Sequence, residues 1–118
     1  MKTLFILCAL LLLIAPPALA AQAVYSMVIE DLPLMPGMVE KADEAVVFDD
    51  PSGRIVETSA ETSAAPTEIK KFYAGTLPPL GWQPSSSSGF IREDEKLNLD
   101  IEKKNGKTTV RFTLTPRK

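Results

Sequence analysis

Four consecutive serines, Ser85 to Ser88, and the eight lysines downstream of residue 20 are the residues with the plainest nucleophile and base chemistry in this sequence. A serine becomes a useful nucleophile only when a base holds its proton in attack geometry. The sequence contains no histidine, which removes the commonest general base together with the commonest metal ligand. A Ser–Lys pair would serve instead, but no spacing singles out one lysine, and a serine run has the composition of a flexible loop. Asp49 and Asp50 are adjacent carboxylates, yet a calcium loop of the EF-hand type needs further acidic positions and a distal Glu that are absent. The remaining carboxylates fall in turns and on polar strand faces, where water keeps them ordinary, so paired acid–base chemistry is not indicated. No glycine-rich loop precedes the helix, and with it goes a phosphate cradle. The residues therefore point away from an enzyme, and towards no catalytic, cofactor-binding or metal-binding residues.

The elements that would position any site begin after a separate leader. Lys2 is followed by an apolar run from Leu4 to Ala15, then by Pro16-Pro17 and Ala18-Leu19-Ala20. This is the layout of a cleavable secretory signal peptide over residues 1–20, cut after Ala20 or, at the second small-residue site, after Ala23. The twelve-residue run is too short for the roughly 20 residues that span a bilayer, so no transmembrane anchor is expected after cleavage. Cys8 sits inside the run behind Leu7 rather than at its end behind a small residue, which argues against lipidation. The expected location is the periplasm. Cleavage after Ala20 leaves 98 residues with no cysteine, enough for one domain without a disulfide. That chain carries twelve basic and fifteen acidic residues, and an acidic exported protein is a poor partner for nucleic acid. The charge is divided. Residues 24–68 hold ten acidic side chains against Lys41 and Arg54, whereas residues 69–118 hold five against ten basic ones. Such a chain is dipolar unless its fold interleaves the halves.

Residues 21–43 read as an extended N-terminal arm. Pro33, Pro36 and Gly37 interrupt Leu32, Leu34, Met35 and Met38, which excludes a helix or a central strand. The arm either lies across the domain with alternate side chains pressed into it or offers Leu34, Met35 and Met38 to a partner. Residues 44–118 form the domain. Val46 to Phe48 and Arg54 to Thr58 favour strand, and Asp50-Pro51-Ser52-Gly53 between them is hairpin turn chemistry.

Ile69, Phe72, Tyr73, Thr76, Leu77 and Leu80 recur at helical spacing and predict one amphipathic helix. Ser63 or Thr62 is the expected cap, Pro66 suits the first turn, and Glu68 complements the dipole. Pro78 and Pro79 end the helix, with Leu77 expected already outside the α region because a proline follows it. Leu97, Leu99 and Ile101, then Val110, Phe112 and Leu114, alternate with polar residues on either side of Asn105-Gly106. That is a type I′ hairpin, and setting Lys104 opposite Lys107 predicts the pairs Ile101–Val110, Leu99–Phe112, Leu97–Leu114 and Asp100–Arg111. Phe90 to Arg92 adds a third strand. The economical assembly is an α+β fold: a single antiparallel sheet of about five strands with the helix on one face, in the order β-β-α-β-β-β, preceded by the arm. Trp82 closes one end of the core, and its indole N–H needs a partner.

Phe72, Tyr73, Leu77, Pro78, Leu80, Gly81 and Trp82 form the pattern FY-x3-LP-x-LGW. Phe90, Arg92, Glu95 and Leu97 follow as F-x-R-x2-E-x-L, and Val110, Phe112, Leu114 and Pro116 as V-x-F-x-L-x-P. In these motifs, and in "LPLMPGM" and "DPSGRIVE" upstream, the chain resembles a family of small exported proteins of alphaproteobacteria over most of its length. The resemblance implies export and this fold, and no reaction. At the level of fold alone, a helix followed by three strands also resembles small domains of outer-membrane assembly lipoproteins.

The expected function is that of a non-catalytic interaction module of the cell envelope, binding an envelope protein or a peptide by strand addition at a sheet edge. Leu32, Leu34, Met35, Met38 and Trp82 are its candidate contact residues. A carrier of a small apolar ligand or lipid, held between helix and sheet, is the alternative and requires a pocket of at least about 300 Å³. A weak hydrolase using the serines and lysines is the third.

Overall fold

The computed structural model describes residues 23–117. The expected leader, residues 1–20, lies outside the described residues. The arm contributes β1 (Val24–Tyr25), β2 (Pro33–Leu34) and β3 (Val39–Glu40). A single 3₁₀ turn over Ala42–Glu44 leads to β4 (Val46–Asp50) and β5 (Gly53–Thr62). Then come α1 (Pro66–Thr76), a 3₁₀ turn over Pro78–Leu80, β6 (Gln83–Pro84), β7 (Gly89–Arg92), β8 (Glu95–Lys104) and β9 (Lys107–Pro116).

β1 and β2 form a small separate ribbon, and the other seven strands make one antiparallel sheet in the order β3-β5-β9-β8-β7-β6, with β4 also paired to β5. β9 occupies one side of β5 from Val56 to Thr62, so β3 and β4 must lie end to end along the other side. The Lys41 N–H continues that ladder to the Ser59 carbonyl at 2.7 Å before the 3₁₀ turn swings out. The expected order of strands and helix is present, and two short strands, β3 and β6, extend the expected five to seven. Each of these is a two-residue pairing. Two residues leave no alternation to read, and both abut proline- or serine-rich sequence.

The β8–β9 hairpin adopts the expected register, from Lys104 opposite Lys107 through Ile101–Val110 and Leu99–Phe112 to Leu97–Leu114. Asn105 at φ 52° and Gly106 at φ 77° supply the two left-handed residues that a type I′ turn requires. Asp100 stands opposite Arg111, but the ion pair forms elsewhere: Arg111 Nε meets Glu57 Oε1 of β5 at 3.3 Å. β9 is flanked by strands on both sides, and Glu57 is within the diagonal reach of a long side chain.

Helix α1 buries Ile69 and Tyr73, with Leu77 just beyond it, against the face of the sheet formed by Val56, Val110, Phe112, Leu97 and Leu99. The ring of Tyr73 meets Phe112 edge-on at 5.5 Å and Phe72 at 5.0 Å. The capping differs from expectation. Ala65 is the N-cap and makes no side-chain bond, while Thr62 Oγ1 accepts the Ala64 N–H instead. Pro66 at the first helical position fixes where the helix begins, three residues beyond Ser63. Leu77 also departs from expectation, keeping α-helical angles of φ −76° and ψ −42°. Its side chain is fully buried and its N–H still reaches Tyr73 O at 3.1 Å, and these gains outweigh the steric bias imposed by Pro78. The chain leaves the helix at Gly81, whose φ of 96° suits glycine, and the Trp82 N–H closes back on Leu77 O at 3.2 Å.

Candidate functional site

The arm is the first place to look, because it carries the apolar residues that the sequence singles out. Leu32, Leu34 and Met38 are buried in the main core together with Ile29, and Met35 is partly buried against it. Trp82 is buried in the same cluster. The contact surface expected of these five residues is thus not presented: they pack inward. Proline breaks the arm into short pieces, which turn Leu32, Leu34, Met38 and Ile29 into the core while Val24, Tyr25, Met27 and Val39 stay exposed.

Polar groups fix the arm in that position. The Glu40 carboxylate accepts bonds from Ser26 Oγ, from the Met27 N–H at 2.8 Å and from Thr58 Oγ1 at 3.2 Å. Tyr73 donates its hydroxyl to Met38 Sδ at 3.6 Å. Burial, reinforced by the nearby Glu40 charge, raises the Tyr73 phenol above its ordinary value, so the ring stays protonated and serves packing. Arg92 lies 4.5 Å over the Trp82 ring, donates to Leu80 O at 3.2 Å and approaches Asp31 of the arm at 3.9 Å. The Trp82 indole N–H has no partner among the described residues.

The serine run borders a cleft of about 430 Å³ between α1 and the β7–β8 part of the sheet. Phe90, Leu99 and Ile101 form its floor, Lys70, Tyr73 and Ala74 one wall, and Ser86 to Ser88 the other. The lining mixes this apolar floor with the serine hydroxyls, the Lys70 ammonium, the Asn98 amide and the Asp100 carboxylate.

Asp49 and Asp50 sit where β4 turns into β5. Asp50 Oδ1 accepts both the Ser52 N–H at 3.0 Å and the Ser52 hydroxyl at 2.6 Å, and these bonds lower its pKa. The carboxylate thereby stiffens its own turn. Among the described residues no group of three or more side chains is arranged to hold a metal ion, and no helix is long and apolar enough to cross a membrane.

The feature that sequence reasoning passed over is the exposed outer edge of β4, a strand it did expect. β4 pairs only with β5, so its outer side is an open sheet edge among the described residues. Val46, Val47 and Phe48 are 51, 48 and 51 % exposed, whereas Val56, opposite Val47 on β5, is 2 % exposed. The contrast measures a missing neighbour, since Val56 has a strand on each side and Val47 on one. Val47 shares the helix-side face with Val56, while Val46 and Phe48 share the opposite face with Ile55. The sequence does contain a sign of this. Four consecutive apolar residues, Ala45 to Phe48, with no alternation and an acid at each end, do not describe a strand with one wet and one dry face. Comparison with protein-family models, curated proteins and solved structures finds no match to this chain.

Proposed function

We propose that this protein is a non-catalytic interaction module of the periplasm that takes an extended segment of an envelope protein or peptide as an added strand along β4. The observation that carries this reading is the open edge of β4, where three adjacent apolar side chains stand half exposed. An edge of this kind supplies main-chain hydrogen bonds for affinity and alternate side-chain positions on both faces for selectivity. The test is site-specific crosslinking in cells, with a photoreactive phenylalanine analogue at position 48 and, as control, at Thr109 on the polar face of β9. The expected result is a discrete covalent adduct from position 48 alone. Equal labelling from both positions, or none from either, would overturn the reading.

A second reading is favoured by the cleft beneath α1. Its volume of about 430 Å³ exceeds the roughly 300 Å³ at which small-molecule sites begin, which supports a carrier of a small apolar ligand or lipid. An environment-sensitive apolar dye should bind the protein and be displaced by a medium-chain fatty acid. Ala74→Phe, which fills the cleft from the helix wall, should abolish the signal while leaving the fold intact; unchanged dye binding in that variant counts against a carrier.

A further inference from the structure

The residues that flank the exposed edge are all of one sign. Asp43 and Glu44 precede Val46-Val47-Phe48, and Asp49 and Asp50 follow it. Arg54 stands opposite Asp49 across the hairpin, and Lys41 is paired with Glu61 at 3.7 Å. The four flanking carboxylates outnumber the nearby guanidinium groups, Arg54 and, just past the Pro116 ring that abuts Gly53, Arg117, so the edge is acidic. Resting on the strand-addition reading above, we infer that β4 is built to receive an extended apolar segment flanked by lysine or arginine, and that the same four carboxylates keep it from pairing with a second copy of this chain.

Self-pairing can be examined register by register. An antiparallel pair with Val47 opposite Val47 stacks the apolar triplet and brings Asp49 and Asp50 of each copy level with the end of the other's 3₁₀ turn, which carries Asp43 and Glu44. A shift that places Val46 opposite Val47 brings Asp49 and Asp50 closer still to that turn and its two acids. The shift the other way, Val47 opposite Phe48, sets Val46 against Asp49 and so gives up the third apolar pair. A parallel in-register pair places every acid opposite its own copy. The registers that stack the apolar residues therefore gather like charges at both ends of the pair, which is unfavourable. Exposed edges are usually protected by lysine or by inward charge. Here the protection lies at the two ends of the edge and leaves its apolar centre open. A partner with the same apolar centre and cationic flanks meets the reverse situation: the opposed end pairs become attractive, and the acidic edge also draws the partner in before contact.

The test uses the exported form of the protein with three synthetic peptides that share a Thr-Val-Thr-Val-Phe centre and differ in flanks: Lys-Lys, Ser-Ser or Glu-Glu. Binding is measured by titration calorimetry at low and high salt, and located by amide hydrogen exchange. The expected result is protection of the β4 amides, with the lysine-flanked peptide binding about tenfold more tightly than the glutamate-flanked one and the gap shrinking in salt. The Asp49→Lys/Asp50→Lys variant, in which Asp43 and Glu44 at one end are balanced by two lysines at the other, should abolish the preference. A variant with all four acids neutralised (Asp43→Asn, Glu44→Gln, Asp49→Asn, Asp50→Asn) keeps the turn's acceptor at position 50 and should self-associate in sedimentation. If all peptides protect β4 equally, strand addition stands and the charge inference falls; so it does if the neutralised variant sediments as a monomer. If no peptide protects β4, the reading beneath it falls as well.

Discussion

Glu40 joins three parts of the chain that are far apart in sequence. One oxygen takes the Met27 N–H and the other takes the hydroxyls of Ser26 and Thr58, so one carboxylate ties the start of the arm to β5. Ser26 in turn accepts the N–H groups of Val28 and Ile29, which sets up the turn that delivers Ile29 to the core. Glu40→Ala would leave the Met27 N–H and the Thr58 hydroxyl, itself buried, without their acceptor. A buried donor deprived of its partner costs about 1–3 kcal/mol. The expected outcome is a loss of stability in that range in urea melts, with faster amide exchange from Met27 to Ile29 than elsewhere. Thr58→Val removes one donor along with its need, and combined with Glu40→Ala it should recover part of the loss. Nothing in the local sequence around Glu40 advertises this role, because its partners are 13, 14 and 18 residues away.

The legible elements are those whose signals lie within one short window. The β8–β9 hairpin is read correctly down to its register, because the Asn-Gly turn and the alternation on both sides impose the same answer. The apolar stripe of α1 is read for a similar reason. Features that depend on competition between neighbours are not read. Ser63 and Thr62 look like caps, yet Pro66 starts the helix so that Ala65 takes the N-cap position with extended angles of φ −71° and ψ 150°. Arg111 faces Asp100 in the ladder and chooses Glu57 across the other side, a choice that requires knowing that β5 lies there. The same missing knowledge hides the edge. Val46 to Phe48 is recognisable as a strand, but strand order decides whether it is interior or exposed, and strand order is set by contacts across the whole chain. The N-cap supplies a prediction at this scale. Ala65 already has the backbone of a capping residue and lacks only an acceptor. Ala65→Asp should bond a first-turn N–H and complement the dipole, raising stability by about 1 kcal/mol, read as a higher melting temperature at neutral pH. Ala65→Leu, which adds surface without an acceptor, should not reproduce it.

At the scale of the molecule, the fold answers two questions that the sequence poses. The acidic and basic halves of the chain are interleaved: Glu57 pairs with Arg111 and Asp31 with Arg92, each across the division, so the sequence dipole is partly cancelled. Local clusters of one sign remain: acids at the two ends of β4 and at Glu93-Asp94-Glu95 where β7 turns into β8, and Lys103, Lys104 and Lys107 around the β8–β9 turn. The second question is whether residues 21–43 are an appendage or part of the domain. Ile29, Leu32, Leu34 and Met38 belong to the same buried cluster as Tyr73, Phe112 and Leu97. Full burial of side chains of this size is worth about 1.5–3 kcal/mol each, hence about 6–12 kcal/mol for four. A domain of this length has a net stability of only about 5–15 kcal/mol. Removing the arm therefore withdraws a share comparable to the whole, and it also takes Met38 away from the Tyr73 hydroxyl. A chain beginning at Glu44 is expected to lose cooperative unfolding and near-ultraviolet circular dichroism. It should also bind hydrophobic dyes nonspecifically, the behaviour of a collapsed but unpacked state. The opposite outcome, a sharp melt with native-like dispersion of amide resonances, would mean that the arm is a detachable extension and that its apolar residues are free to be used elsewhere. A milder version separates packing from chain length. Leu32→Ala in the full chain should cost about 2–5 kcal/mol while leaving β4 and its edge unchanged. Crosslinking from position 48 should then persist in the folded fraction of that variant, because Leu32 serves the core while partner contact is made along the outer side of β4.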